Sequence, residues 1–213
     1  MGLKLRLGIP VFTSSGSCPA CKAPSDRLGD HALCCGNEGE RIARHNALRD
    51  ALHSTAAAAS LGPSKEVRFL IPGSDKRPAD VFLPYWCSGR DTAWDVTVIH
   101  PLQKATVTKA VALPGHAANE AYARKMREAW EECRRQGIVF TPLAVETLGG
   151  WHPVAEAELK KLGAALARQT GQEDSVATSH IFQKLSVLLV KGNCAMINNR
   201  QPGIIPTSVD GLW

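Results

Sequence analysis

The sequence predicts an α/β fold, a small mixed sheet flanked by helices, with a cysteine-rich head before it and a helical extension after it. Three observations carry that expectation. Three short runs of strand-forming residues follow one another between turn signals, at 66–71, 79–85 and 92–100. A stripe at helical spacing, Ala118, Tyr122, Met126, Ala129 and Cys133, then separates them from a fourth such run at 138–146. Four of the seven cysteines crowd between Cys18 and Cys35, ahead of any periodic segment.

Taken in order, residues 1–37 show no apolar periodicity and are rich in Gly, Ser, Pro and Cys. Residues 38–60 read as a helix, with Leu48 and Leu52 one turn apart and an alanine run behind them, until Gly62-Pro63 stops it. Turn signals at 72–75 and 88–91 divide the first three strands closely enough for hairpins, so these are expected to be antiparallel neighbours. The helix at 115–136, ended by Gly137, then crosses over to a parallel fourth strand closed by Gly149-Gly150. Two further helices are expected at 154–168 and 175–191, and the Pro- and Gly-containing residues 201–213 are expected to pack weakly. The expected division is a head at 1–37, an αβββαβ core at 38–150 and an extension at 151–213.

The chain's 213 residues, 44% hydrophobic and 21% charged, suit a globular protein with one good core and a small appendage. No apolar run approaches the roughly 18 residues of a membrane span, and the apolar stretch in residues 1–10 is too short for a secretory signal. A net charge of +5 and a pI near 8.9 suit a polyanionic partner. The odd number of cysteines, without a secretory signal, points to a reducing compartment and to metal binding rather than a disulfide framework.

Cys18-x2-Cys21, followed after nine residues by His31-x3-Cys35, supplies four soft ligands. The hook puts two thiolates on one tight turn, and the downstream His and Cys complete a tetrahedron suited to structural Zn²⁺. Cys34 is adjacent to Cys35, so either could be the fourth ligand; free or redox-active thiols are the other reading of the cluster.

Asp80, in Arg77-Pro78-Ala79-Asp80, and Asp95, in Trp94-Asp95-Val96-Thr97, each fall in a strand-forming run. A carboxylate there is costly to bury unless it is paired or holds a metal. Two on successive strands can meet at one Mg²⁺ or Mn²⁺, which suits metal-dependent cleavage of a phosphodiester; the plain alternative is a pair of solvent-facing edge aspartates. Asp95 and Thr97 share a face, and Glu66 could join them from a neighbouring strand. The usual layout has a lysine where Thr97 stands. Lys125, about 60° from the centre of the apolar stripe of its helix, can lean toward the sheet and replace it, or simply cover apolar surface with its stem. On the first helix, Glu38, Glu40, Arg41, Arg44, His45, Asn46 and Arg49 crowd together. They read as a solvated face matched to the helix dipole, with His45 at the core edge and Glu40 able to reach a metal if this helix covers the strands.

In that order, Cys18-x2-Cys21, Gly29-Asp30-His31-Ala32-Leu33, Cys35, Arg44-His45-Asn46, Arg77-Pro78-Ala79-Asp80 and Asp95-Val96-Thr97-Val98 resemble the C-terminal part of site-specific non-LTR retrotransposon polyproteins. There a CCHC knuckle precedes a restriction-enzyme-like endonuclease of the PD-(D/E)xK class, and the resemblance covers residues 3–150. It implies a restriction-endonuclease-like fold and nicking of chromosomal DNA in the nucleus, with DNA, and the element's own RNA, as partners. It implies Asp80 and Asp95 as Mg²⁺ or Mn²⁺ ligands, Lys125 as a displaced catalytic lysine, and Cys18, Cys21, His31 and Cys35 as zinc ligands; Glu66, read from the strand pattern, could supply a further carboxylate to the same metal. Arg44, His45 and Arg77 become the DNA-contacting residues. Two departures stand out: Ala79 splits the proline–aspartate pair, and Thr97 replaces the lysine. A catalytically decayed nucleic-acid-binding remnant and a zinc-stabilised interaction domain are the alternative functions.

Overall fold

A computed structural model of the chain describes residues 1–36, 39–68, 70–73 and 78–201. It is a mixed α/β structure whose four-stranded sheet is flanked by helices, with a Cys/His cluster near the N-terminus. The head comprises α1 (Gly2–Arg6), a hairpin of β1 (Gly16–Ser17) and β2 (Pro24–Ser25), and α2 (Asp30–Cys34). Then follow α3 (Glu40–Ala58), β3 (Ser64–Lys65), β4 (Val81–Cys87), β5 (Arg90–Ile99), α4 (Val107–Ala112), α5 (His116–Arg135) and β6 (Val139–Glu146). Two long helices, α6 (Pro153–Thr170) and α7 (Asp174–Asn198), complete the described chain.

The sheet order is β3-β4-β5-β6, antiparallel for the first two pairings and parallel between β5 and β6. This is the hairpin-then-crossover topology that the turn signals and the helix at 115–136 require. Alternation along β5 separates the two faces. Trp94 and Val96 enter the main core with Leu48 and Leu52 of α3, Leu159 and Leu162 of α6, and Ile181, Leu185 and Leu189 of α7. Ala93 points to the other face, in a smaller core closed by Cys133, Met126 and Ala129 of α5. Asp95 and Thr97, two and four residues after Ala93, therefore share the face that α5 covers.

Three boundaries differ from the sequence expectation. No described residue of the strand expected at 66–71 is in a strand; β3 is Ser64–Lys65, just before it, and Glu66 takes φ +46° and turns out of the ladder, while Phe69 lies outside the described residues. The helix expected to end at 191 runs on to Asn198. Most consequentially, α6 and α7 are no appendage, since they line the same core as α3 and the sheet.

Candidate functional site

The head folds around its cysteines. Cys18 and Cys21 sit in the turn of the β1–β2 hairpin, where the Cys18 amide donates to Ala23 O at 2.8 Å and the Lys22 amide to Cys18 O at 2.8 Å. Asp26 then fixes the start of α2 by accepting the amides of Asp30 (3.0 Å) and His31 (2.9 Å), which delivers the His31 ring to the cluster. One ligand atom from each of Cys18, Cys21, His31 and Cys35 lies within 4.8 Å of all the others. The Sγ atoms of Cys18 and Cys35 are 3.9 Å apart, and Cys21 Sγ is 3.2 Å from His31 Nε2. Tetrahedral zinc with bonds of about 2.0–2.3 Å needs ligand separations of about 3.5–3.8 Å, so donor type and spacing fit, and the cluster could hold a zinc ion. Cys35 and not Cys34 belongs to the set; burial pushes the Cys34 thiol up to about 11, against the pull of the Arg44 guanidinium.

The acidic pair lies at the start of the sheet. Asp80 precedes β4, with its amide bonded to Trp94 O at 2.9 Å, and Val81 opens the ladder opposite Trp94. Ala79 lies in the α5-side core and Val81 in the main core, so the extra residue between proline and aspartate is absorbed by a bend at Asp80. Its side chain then takes over a ladder position: Oδ2 accepts the Val96 amide at 2.6 Å, while Oδ1 stands 3.0 Å from His45 Nε2. Asp95 is buried on the α5 face. Lys125 Nζ, from α5, approaches both its oxygens, at 3.2 Å from Oδ1 and 3.1 Å from Oδ2. Oδ2 accepts no well-aligned hydrogen bond, so its close charge partner is the Lys125 ammonium. Burial pushes the Asp95 carboxyl up to about 6; the Lys125 ammonium pulls it down and the nearby Asp80 carboxylate adds to the rise.

The structure thus brings Asp95 and Lys125 together and joins Asp80 to His45. It does not bring in Glu66, whose carboxylate forms an ion pair with Arg49 on α3. Among the described residues, only the Cys/His cluster gathers three or more potential metal ligands within 4.8 Å, so Asp80, Asp95 and Glu66 do not form such a set. Glu40 does not reach over the strands either: it is 2% exposed and bonded to Arg200 and Asn199 at the end of α7.

A cleft of about 420 Å³ is lined by Arg41, Arg44 and His45 of α3, Thr97 of β5, and Arg124 and Lys125 of α5; Asp95 itself lines a second cleft of about 420 Å³, which shares Lys125 and adds Glu128 and Glu132. His45 is partly exposed in the first. Arg44 departs from the expected surface residue: it is 3% exposed, because α7 crosses it, and Nη1 donates to Asn193 Oδ1 at 2.7 Å. Burial lowers its pKa to about 10, with Arg41 adding to the effect. Arg77 lies outside the described residues. The exposed Arg41, which the sequence placed on a solvated face, and Arg124 converge here from two helices, and only that convergence marks them.

The fold and these sites define a mixed α/β protein with a Cys₃His cluster able to hold zinc and a buried Asp–Lys pair beside a basic cleft. No family model matches the chain, and no curated protein matches it. No described helix is long and apolar enough to cross a membrane.

Proposed function

We propose that the chain is a metal-dependent DNA endonuclease domain of retrotransposon origin, of the restriction-endonuclease-like PD-(D/E)xK class, with a zinc knuckle at its head. The observation that carries this reading is Lys125 Nζ at 3.1 Å from the Asp95 carboxylate, on the sheet face that α5 covers. It supplies from a helix the cation that Thr97 cannot supply from the strand. Asp95, whose Oδ2 accepts no aligned hydrogen bond, and Asp80 would hold Mg²⁺ or Mn²⁺; hard carboxylate oxygens suit either ion. When bound, that ion supplies a lowered water pKa and neutralises charge on the phosphodiester. Lys125 then steadies the negative charge that develops on the scissile phosphate, and His45 holds Asp80 in place. Arg41 and Arg124 flank the cleft, where they would neutralise backbone phosphates. With chromosomal DNA as substrate, the expected compartment is the nucleus.

A second reading has its own observation. Both Asp80 oxygens are engaged, by His45 and by the Val96 amide, as expected of a nucleic-acid-binding remnant in which the acid has become structural. A supercoiled-plasmid assay separates the two. The nuclease nicks with Mg²⁺ or Mn²⁺, loses activity in EDTA, and loses at least about 100-fold on Asp95→Ala, the scale of a lost transition-state contact. A zinc-loaded, folded protein that binds DNA in a salt-dependent way without nicking it would establish the remnant instead.

A further inference from the structure

Arg200, just past the end of α7, is 1% exposed and among the largest fully buried side chains. A guanidinium cannot shed its charge, so its burial calls for anions around it. One is Glu40, at the first turn of α3: Nη2 donates to Oε2 at 3.0 Å, and Nη1 lies 3.0 Å from Oε1 as a second ion-pair contact on the same carboxylate. Asn199 Nδ2 supports the same carboxylate at 2.8 Å from Oε1. The Cys35 sulfur, itself 5% exposed and one of the four converging ligands, lies beside the guanidinium and, after Glu40, helps hold its charge. One side chain thus bridges the candidate metal centre, the start of α3 and the end of α7.

The buried charges agree with this role. Arg200 and Arg44 bring two positive charges to this seam and Glu40 one negative, and no carboxylate among the described residues bonds Arg44. Arg44 Nη2 instead reaches Leu33 O at 3.5 Å, two residues before Cys35. Three thiolates, one neutral imidazole and Zn²⁺ carry a net charge of −1, which is the missing anion. An N–H donor on a zinc-bound thiolate holds its orientation and spreads that charge.

We propose that Arg200 is the outer-sphere anchor of the Cys18–Cys21–His31–Cys35 centre, and that through Glu40 it couples metal loading to the seating of α3. This rests on reading the cluster as a zinc site. The helix so seated carries Arg41, Arg44 and His45, so the head governs the basic cleft without touching a ligand.

The test is a Co²⁺ titration of the full chain, followed by zinc competition against a chromophoric chelator, for wild type, Arg200→Gln and Arg200→Lys. Arg200→Gln is expected to keep the tetrahedral Co²⁺ spectrum while binding roughly 10- to 100-fold more weakly, the usual effect of losing an outer-sphere partner. Arg200→Lys, which keeps the charge without the guanidinium, is expected to recover part of the loss. Removing zinc from the wild type is expected to speed amide exchange at residues 40–45. Wild-type affinity in both variants, or unchanged exchange at 40–45 on zinc removal, would overturn the proposal. Should Arg200→Gln fail to fold, the affinity of Arg200→Lys decides, and wild-type affinity there overturns it. A wild type that takes up no Co²⁺ removes the zinc site itself, a result distinct from weakened binding in the variants alone.

Discussion

Asp95 is held up to about pKa 6 first by burial, with Lys125 opposing and Asp80 reinforcing. Its unfolded value is near 3.8. Between those values the folded chain binds a proton that the unfolded chain does not, so this group adds stability as pH falls from 6 toward 4. Above pH 6 the buried charge is a standing cost, on the order of 2–3 kcal/mol at most, reduced by the Lys125 contact. Urea unfolding at pH 7.5 and 4.5 should therefore show Asp95→Asn gaining on the wild type at the higher pH, with the advantage shrinking at the lower. An advantage independent of pH would mean that Asp95 titrates normally. Under the proposed nuclease reading, magnesium at Asp95 would act in the opposite sense, favouring the carboxylate. On that reading nicking is expected to rise through about pH 6 and level off above it, and Lys125→Ala should move that rise to higher pH.

The helical elements cross closely, and Gly163 sets the crossing of α6 on α7. A Cβ there would stand 2.9 Å from the Thr178 backbone Cα and overlap its hydroxyl. Gly163→Ala gains up to about 1 kcal/mol of helix propensity. It loses more to overpacking, about 1–3 kcal/mol, because backbone cannot rotate aside. A lowered urea midpoint with unchanged slope is the expected outcome. Gly192 explains one misread boundary in the same terms. The sequence reading ends that helix at 191, before a Gly-Asn pair, yet α7 runs on to Asn198, and the glycine is there because a Cβ at 192 would come within 2.6 Å of Arg44 Cγ. Tertiary contact across most of the chain overrides a local stop signal, and no local pattern records it. The strands β4, β5 and β6 and the helices α3 and α5 were legible because their apolar periods match the faces they bury. Lys125 was legible for the same reason, its angle from the stripe placing it over the sheet. The engagement of Asp80 by His45 and Val96, and of Glu40 by Arg200, was not legible, since each depends on how separate elements meet. Glu66 was misread because an apolar run suggests a strand, whereas positive φ at its first residue turns the chain out of the sheet. The short α4 left no signal at all: none of its residues is buried, so it has no core stripe to read.

At the scale of the whole molecule, the resemblance ends near residue 150 but the core does not. Leu159, Leu162, Ile181, Leu185 and Leu189 are each buried to within 3% exposure against Trp94, Val96 and the leucines of α3. At about 2 kcal/mol per fully buried aliphatic side chain, they supply on the order of 10 kcal/mol, comparable with the whole net stability of an ordinary domain. Glu158 adds a polar tie, accepting the indole N–H of Trp86 at 2.6 Å and of Trp94 at 3.3 Å. On the other side of α3, Asn193 joins Arg44 to Thr147 O, and Arg200 joins Glu40 to the head. A chain cut after Gly150 would therefore expose one face of the sheet and leave Trp94 and Arg44 without their covers. Residues 1–150 made alone are expected to lack a cooperative thermal transition and to elute expanded or aggregated. The full chain should melt in one step, with near-ultraviolet signal from Trp94 lost in the same transition as helix. A cooperative, compact 1–150 fragment would show that the sheet, α3 and α5 close their own core, and that α6 and α7 merely dock on it. The two outcomes assign different roles to the head: if the fragment cannot fold, the Cys/His cluster is fastened through α7 to the body that carries Asp80 and Asp95, and its disruption reaches the acidic pair.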